Sequence, residues 1–157
     1  MATPLSKKAY GDQSIKSLKG ADRVRKRPAV IFGSDDLIGC QHSFIEILAN
    51  SVDEAREGYG DIITVTAYRD RSVSVEDRGR GIPLGKLIEA VSLLNTGGKY
   101  DSKGYKKSVG LNGVGLKAVN ALSEHFFVEA YRDGMSSYAE FKLGKLVDSG
   151  QKPTKEK

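Results

Sequence analysis

The heptapeptide at residues 77–83, Asp-Arg-Gly-Arg-Gly-Ile-Pro, constrains the fold of this chain more than any other stretch. An alternating run at 72–76 leads into it and predicts a β-strand with its valines on one face. The two glycines allow the backbone to turn with positive φ and to lie against a flat ligand, and the proline fixes the exit. Asp77 could accept a hydrogen bond from an amino group on such a ligand. An ordinary strand-to-helix turn with a solvated Asp77 is the alternative.

Length and composition set the class of protein. A chain of 157 residues suits one domain with its own core. No apolar run approaches the roughly 20 residues of a membrane span, and residues 1–14 lack an apolar signal segment, so we expect a cytoplasmic protein with no membrane partner. Cys40 is the only cysteine, which excludes an internal disulfide. The net charge of +5 permits contact with nucleic acid or nucleotide phosphates, although a solvated surface also explains it.

A long helix is predicted over residues 36–58, where apolar residues recur at intervals of three and four. Its other face carries Glu46, Asn50, Asp53 and Glu54, of which the first three fall within roughly 60° of one another. Two interpretations stay open. The face is an outward-facing acidic surface, or it supplies oxygen ligands for Mg²⁺ and a carboxylate that orients water.

The remaining elements are predicted from periodicity and turn residues. We expect a helix over 15–27, an apolar connector at 30–33, a hairpin of strands 62–68 and 72–76, helices over 84–94 and 116–123, and strands at 126–131 and 137–143.

Glycine and lysine dominate the segment before the last helix. Residues 97–108 show no periodicity, and Gly-Leu-Asn-Gly-Val-Gly at 110–115 then opens the helix. Backbone N–H groups at such a helix start can hold phosphate, and the lysines would suit a lid over a triphosphate. No Gly-Lys-Ser/Thr follows, so this is not a Walker sequence. A surface loop without a ligand is the alternative.

These features occur in one order that resembles the GHKL ATPases, and among them the type IIA topoisomerase B subunits. The similarity extends from about residue 10 to residue 143, with matching motifs at 14–20, 24–28, 46–55, 96–100 and 119–123. The resemblance implies an α/β (α+β) fold, a two-layer sandwich of a mixed β-sheet and helices. It also implies an N-terminal arm at 1–14, the ATP-binding domain at 15–150, and a polar tail at 151–157.

Catalytic and metal roles are implied by the same resemblance. Glu46 would be the general base that orients the attacking water, and Asn50 would bind Mg²⁺. Asp77 would accept from the adenine amino group, partly through a water shared with a hydroxyl elsewhere. Asp53 would support this polar shell, and Glu54 would pair with Arg80 above the base.

Further nucleotide contacts are implied around that centre. Gly81, Ile82 and Pro83 would pack against adenine, and Arg132 would lie at the pocket mouth. The lid and phosphate contacts would come from Lys99, Tyr105, Gly113, Val114 and Gly115. Tyr10 would cross to the partner protomer over its nucleotide.

The resemblance also implies partners and an activity. In this family ATP binding closes two B subunits as a gate, and hydrolysis accompanies ATP-dependent DNA strand passage, in supercoiling or decatenation, with an A subunit that cleaves DNA. Arg78 and Asn112 depart from common family residues at the turn and in the lid. The family continues into further strands and a transducer domain after the position of Lys157. We therefore expect a C-terminally truncated fragment that binds ATP, hydrolyses it slowly and stays mostly monomeric.

Two alternatives stay open. Another GHKL member, such as a chaperone or a histidine kinase, would use the same pocket for a different output. A basic nucleic-acid-binding module without a nucleotide pocket would instead show steeply salt-dependent DNA affinity and no effect of ATP.

Overall fold

The computed structural model describes residues 20–92 and 114–155. The described chain forms helices α1 (Ala21–Lys26), α2 (Ala29–Phe32), α3 (Leu37–Arg56), α4 (Leu87–Ser92) and α5 (Gly115–Leu122), and strands β1 (Ile63–Ala67), β2 (Val73–Asp77), β3 (Phe126–Arg132), β4 (Met135–Lys142) and β5 (Lys145–Pro153). A 3₁₀ turn at Leu84–Lys86 precedes α4. In the described part of the chain, no helix is long and apolar enough to cross a bilayer.

The long helix α3 confirms the prediction for residues 36–58. Asp36 caps its start by accepting a hydrogen bond from the Ile38 amide at 2.8 Å, as a helix N-cap does. A left-handed Gly58, with φ of 87°, follows its end. The predicted hairpin also forms, because β1 pairs antiparallel with β2 in the register Ile63 to Asp77.

A second sheet contains β3, β4 and β5 in that order, all antiparallel. Two-residue turns join its strands, and both residues of each turn have positive φ: Asp133 with Gly134, and Leu143 with Gly144. Such turns match the right-handed twist of the strands that they connect.

The helix-and-sheet sandwich expected from the sequence is present, but three details differ. The described strands form a two-stranded and a three-stranded antiparallel sheet rather than one mixed sheet. Residues 30–33 are not a connector, since most of them belong to α2. The tail expected at 151–157 is wrong in its first residues, because β5 continues through Pro153 and pairs there with Met135. Backbone pairing with β4 holds this polar segment.

Two apolar clusters place the helices. Leu87 and Val91 of α4 pack against Phe141 and its neighbours on the three-stranded sheet. Val24 and Phe32 pack against Ala118 and Ala121 of α5 in the second cluster. Helix α5 contacts α1, α3 and α4, so it fixes the long helix relative to the sheet.

Candidate functional site

The Asp77 carboxylate is held by two donors where β2 ends. Ser51 on α3 donates its hydroxyl to Asp77 Oδ2 at 2.6 Å, and the Gly79 amide donates to Oδ1 at 2.9 Å. Each carboxylate oxygen can accept more than one hydrogen bond, and Asp77 is exposed. The carboxylate is therefore fixed in orientation and keeps acceptor capacity toward a ligand.

A charged pair lies beside this carboxylate. Arg80 donates from Nε to Glu54 Oε2 at 3.0 Å and from Nη2 to Oε1 at 2.8 Å, so the pair implied by the family resemblance is present and is bidentate. The Arg80 amide also donates to Glu54 Oε2, at 3.2 Å. The guanidinium lies 3.9 Å from the centre of the Tyr59 ring, so the arginine is stacked as well as paired.

Glycines let the turn approach neighbouring backbone. Gly81 has φ of 71°, and a Cβ there would lie 2.8 Å from the Tyr131 carbonyl oxygen on β3. Gly60 has φ of 77°, and its Cβ would lie 2.6 Å from the Arg78 carbonyl carbon. The turn is thus held between the segment after α3 and strand β3, and only glycine fits both contacts.

Glu46 lies at the other end of the site, against the start of α5. A Cβ on Gly115 would fall 2.0 Å from Glu46 Oε2, so the carboxylate occupies the space that a side chain would need. Burial raises the pKa of Glu46 above its usual value. A carboxylate with raised basicity beside a helix N-terminus is suited to accept a proton from an ordered water.

Asn50 lies one helical turn after Glu46 and is exposed. Its Nδ2 donates to the Glu46 carbonyl oxygen at 2.7 Å. Because the amide nitrogen faces the helix backbone, Oδ1 is the atom left to bind a cation. In the described residues no group of three His, Cys, Asp or Glu side chains forms a metal cage. Such a cage is not needed for Mg²⁺, which commonly binds one or two protein oxygens together with substrate phosphates.

The other predicted residues in the described chain lie on these elements or next to them. Asp53 is buried on α3, and Ile82 packs against the cluster on the three-stranded sheet. Pro83 is exposed and precedes the 3₁₀ turn, and Val114 is exposed immediately before α5. Arg132 ends β3 directly after Tyr131, whose backbone contacts Gly81.

Helix α3 contacts the turn after β2 through Ser51 and Glu54, and it contacts the start of α5 through Glu46. We call the region bordered by these three elements the groove. About 7.5 Å of helix axis separates Ser51 from Glu46, at 1.5 Å per residue. Four predicted residues, Tyr10, Lys99, Tyr105 and Gly113, lie outside the described residues, as do the arm at 1–14 and the lid at 97–108.

Sequence reasoning missed three residues of the site: Ser51, Tyr59 and Gly60. The role of Ser51 could have been predicted from the Glu54–Arg80 pair. Ser51 lies three residues before Glu54, and Asp77 lies three residues before Arg80. Residues three apart on a helix share a face, so the Glu54–Arg80 pair places Ser51 opposite Asp77.

Two cavities lie elsewhere in the fold. One of about 240 Å³ lies between Leu87 and Ser149, and one of about 230 Å³ lies between Phe44 and Val75. Neither is lined by a predicted site residue.

Comparison of the sequence with known proteins matches a family profile and individual relatives. The sequence profile for the histidine kinase-, DNA gyrase B- and HSP90-like ATPases matches residues 35–144. The DNA topoisomerase 4 B subunits of Staphylococcus epidermidis and Staphylococcus aureus are each 47% identical to this chain over 148 residues, which cover 90% of this chain and 22% of each relative. The chain therefore spans about a fifth of the length of these curated relatives.

A solved structure matches the same fold. It is the crystal structure of the 43K ATPase domain of Thermus thermophilus gyrase B in complex with an aminocoumarin. The TM-score is 0.72 at 34% sequence identity, and the match covers 87% of this chain and 36% of that chain.

Proposed function

The chain belongs to the family of histidine kinase-, DNA gyrase B- and HSP90-like ATPases, and we propose that it is the ATP-binding domain of a type IIA DNA topoisomerase B subunit. The observation that carries this proposal is the fixed carboxylate of Asp77, held by Ser51 and the Gly79 amide beside a glycine turn. Membership of the family implies ATP binding. The residue roles below are our proposal for how this chain achieves it.

Adenine would be recognised at the end of β2. Asp77 accepts from the exocyclic amino group, because Ser51 and the Gly79 amide orient its oxygens without using all their lone pairs. The base would lie against the turn that follows Asp77. Its contacts there would come from Gly81, Ile82 and Pro83. The Glu54–Arg80 pair, stacked on Tyr59, would border the pocket, and Arg132 would lie at its mouth.

Hydrolysis would depend on Glu46. Its carboxylate lies at the start of α5, where Val114 and Gly115 would present backbone N–H groups to phosphate. Glu46 orients a water for attack on the terminal phosphate and takes its proton, and the raised pKa makes this proton transfer more favourable.

The donor set fits Mg²⁺ next to that carboxylate. Asn50 Oδ1 is a neutral oxygen ligand, directed away from the helix carbonyl that its Nδ2 occupies. Bound Mg²⁺ would offset the negative charge that phosphoryl transfer spreads over the phosphate oxygens. Asp53, buried on the same helix, supports the polar environment.

The wider function follows from the relatives that share 47% identity over this region. We propose that the whole protein acts in ATP-dependent DNA strand passage, with DNA and a DNA-cleaving A subunit as partners. We also propose that two copies associate when ATP binds, through an arm that includes Tyr10. Lys99, Tyr105 and Gly113 would complete the phosphate contacts. We expect the protein in the cytoplasm, where bacterial DNA lies.

Calorimetric titration with a non-hydrolysable ATP analogue and Mg²⁺ tests the proposal. Asp77→Asn keeps one acceptor for the Gly79 amide but replaces the other oxygen with a donor, so we expect at least tenfold weaker binding. Asp70→Asn is a matched control, because Asp70 likewise accepts from a hydroxyl and a backbone amide, both of Ser72. Equal affinities for all three proteins would contradict the placement of adenine at Asp77.

A further inference from the structure

A basic surface covers the outer side of α1 and the turn between β4 and β5. We define it by Arg23, Lys26, Arg27, Lys142 and Lys145, all of which are exposed. Nothing in the nucleotide groove described above uses these residues. The two segments are far apart in sequence, so their proximity is a product of the fold.

Two contacts attach α1 to that turn, and a third attaches it to α5. Arg25 donates to the carbonyl oxygen of Leu143 and also to that of Ala121, the latter at 3.3 Å. A Cβ on Gly144 would lie 2.8 Å from the Ala21 side chain. Lys142 and Lys145 are paired across the two-residue turn, so both lie next to the docked helix.

The outward face of α1 is set by its buried residues. Val24 is buried and Ala21 packs against the turn, and Arg23 and Lys26 project roughly opposite to them at 100° per residue. Within the described part of the chain, none of the five basic residues has an ion-pair partner. The nearby carboxylate of Asp22 is bound to Arg25 instead.

This surface lies at the other end of α5 from the nucleotide groove. Glu46 contacts Gly115 at the start of α5, whereas Arg25 binds the Ala121 carbonyl near its end. Six residues of helix separate the two, or about 9 Å along the axis. The basic surface and the proposed nucleotide site are therefore attached to opposite ends of α5.

We propose that the basic surface binds the phosphate backbone of duplex DNA, an inference that rests on the proposed function because it takes DNA as the substrate of the whole protein. These five cations, which have no ion-pair partner among the described residues, would neutralise phosphates and release their counterions. No aromatic side chain lies in α1 or in the 142–145 turn. Single-strand binding surfaces use aromatic residues to stack bases, so the composition favours duplex backbone and predicts binding without sequence preference.

Binding of a labelled DNA duplex to the 157-residue chain, followed by fluorescence anisotropy at several salt concentrations, tests this inference. We expect Arg23→Gln with Lys26→Gln, and separately Lys142→Gln with Lys145→Gln, to weaken binding about tenfold each. Each pair should also reduce the slope of log affinity against log salt by about 2. The control is Arg69→Gln with Lys86→Gln, which removes the same charge from exposed positions elsewhere and should change affinity less than about twofold.

Glu124 gives a test in the opposite direction. It is exposed and follows Ser123, whose carbonyl oxygen accepts from the Leu143 amide, so its charge lies beside the basic surface. Glu124→Gln should raise DNA affinity about twofold.

Several outcomes would overturn the inference. The first is that the control pair of substitutions weakens DNA binding as much as the surface pairs do. The second is that DNA affinity falls for only one of the two surface pairs. The third is that polyglutamate or anionic lipid vesicles bind as tightly as the duplex at equal ionic strength. The same variants are titrated with the ATP analogue. Loss of DNA binding with unchanged nucleotide affinity supports the proposal that the basic surface binds DNA. DNA binding that persists in every variant contradicts that proposal and leaves the ATPase assignment unaffected. Absence of nucleotide binding in the parent chain counts against the proposed function only.

Discussion

Ser51 Oγ lies 2.6 Å from Asp77 Oδ2, across 26 residues of sequence. The Glu54–Arg80 pair joins the same two segments with the same separation, three positions further along each. Two polar contacts in matching register therefore fix the turn after β2 on helix α3. The turn carries the carboxylate proposed to recognise adenine, so under that proposal α3 would position the base as well as Glu46.

Removing the Ser51 hydroxyl should weaken nucleotide binding. Ser51→Ala leaves Asp77 Oδ2 without its protein donor, and we expect three- to tenfold lower affinity for the ATP analogue and a stability loss of about 1 kcal/mol. Ser43→Ala on the same helix is the control, since the Ser43 hydroxyl donates to the Gly39 carbonyl oxygen of its own helix, at 2.9 Å. Calorimetry and urea unfolding measure both quantities. If Ser43→Ala lowered the affinity equally, the loss would come from a general change in helix α3 and not from the missing hydrogen bond to Asp77.

Neutralising Glu46 should slow ATP hydrolysis and, at neutral pH, stabilise the fold. Burial raises the pKa of this carboxyl, so ionisation costs more in the folded than in the unfolded state. Glu46→Gln should therefore raise Tm at neutral pH, and the difference should shrink as the pH falls and Glu46 becomes protonated in both states. Any ATP hydrolysis should fall by about 100-fold or more while analogue binding is retained.

The control for Glu46 is Glu57→Gln, on an exposed carboxylate just after the same helix. Thermal unfolding over a pH series gives the comparison. A Tm for Glu46→Gln equal to or below that of the parent at neutral pH would contradict the account of its burial.

Gly81→Ala should destabilise the turn. Alanine at φ of 71° is strained, and its Cβ would meet the Tyr131 carbonyl oxygen at 2.8 Å, so we expect a loss of more than about 1 kcal/mol. Gly85→Ala is the matched control in the adjoining 3₁₀ turn, where a Cβ would meet no atom of the described residues within 4 Å. That change should be neutral or stabilise by up to about 1 kcal/mol. Chemical denaturation compares them, and similar values for both would refute the close approach of the turn to β3.

The parts of the fold that sequence predicted are those governed by local pattern. Helix α3 was predicted because its apolar residues recur at helical spacing, and the β1–β2 hairpin because β-branched residues flank a polar turn. The Glu54–Arg80 pair came from family resemblance and is present. All these features depend on short-range chemistry or on a recognisable motif.

The parts that sequence missed depend on tertiary contacts. Strand β5 contains Asp148, Gly150 and Pro153 and lacks clean alternation, so its conformation comes from pairing with β4 after the Leu143–Gly144 turn. Ser51 was overlooked because a serine inside a helix is neutral in propensity, and only the position of β2 gives its hydroxyl a role. A single mixed sheet was expected from the family, whereas the described strands form two antiparallel sheets.

A double-mutant cycle measures what the Glu54–Arg80 pair contributes. The pair is bidentate, partly shielded and stacked on Tyr59, with side chains 23% and 40% exposed, so we expect a coupling energy of about 1 kcal/mol between Glu54→Gln and Arg80→Gln. The Lys86–Glu89 pair is the control, because it is more exposed, at 68% and 41%, and its coupling should be near zero. Arg80→Lys should recover little of the stability, since lysine has neither the planar fork nor the stacking face. Urea unfolding at low and high salt gives the coupling energies. Equal coupling in the two pairs would mean that solvent screens Arg80 as fully as Lys86 and that the Glu54–Arg80 ion pair adds little to the stability of the turn.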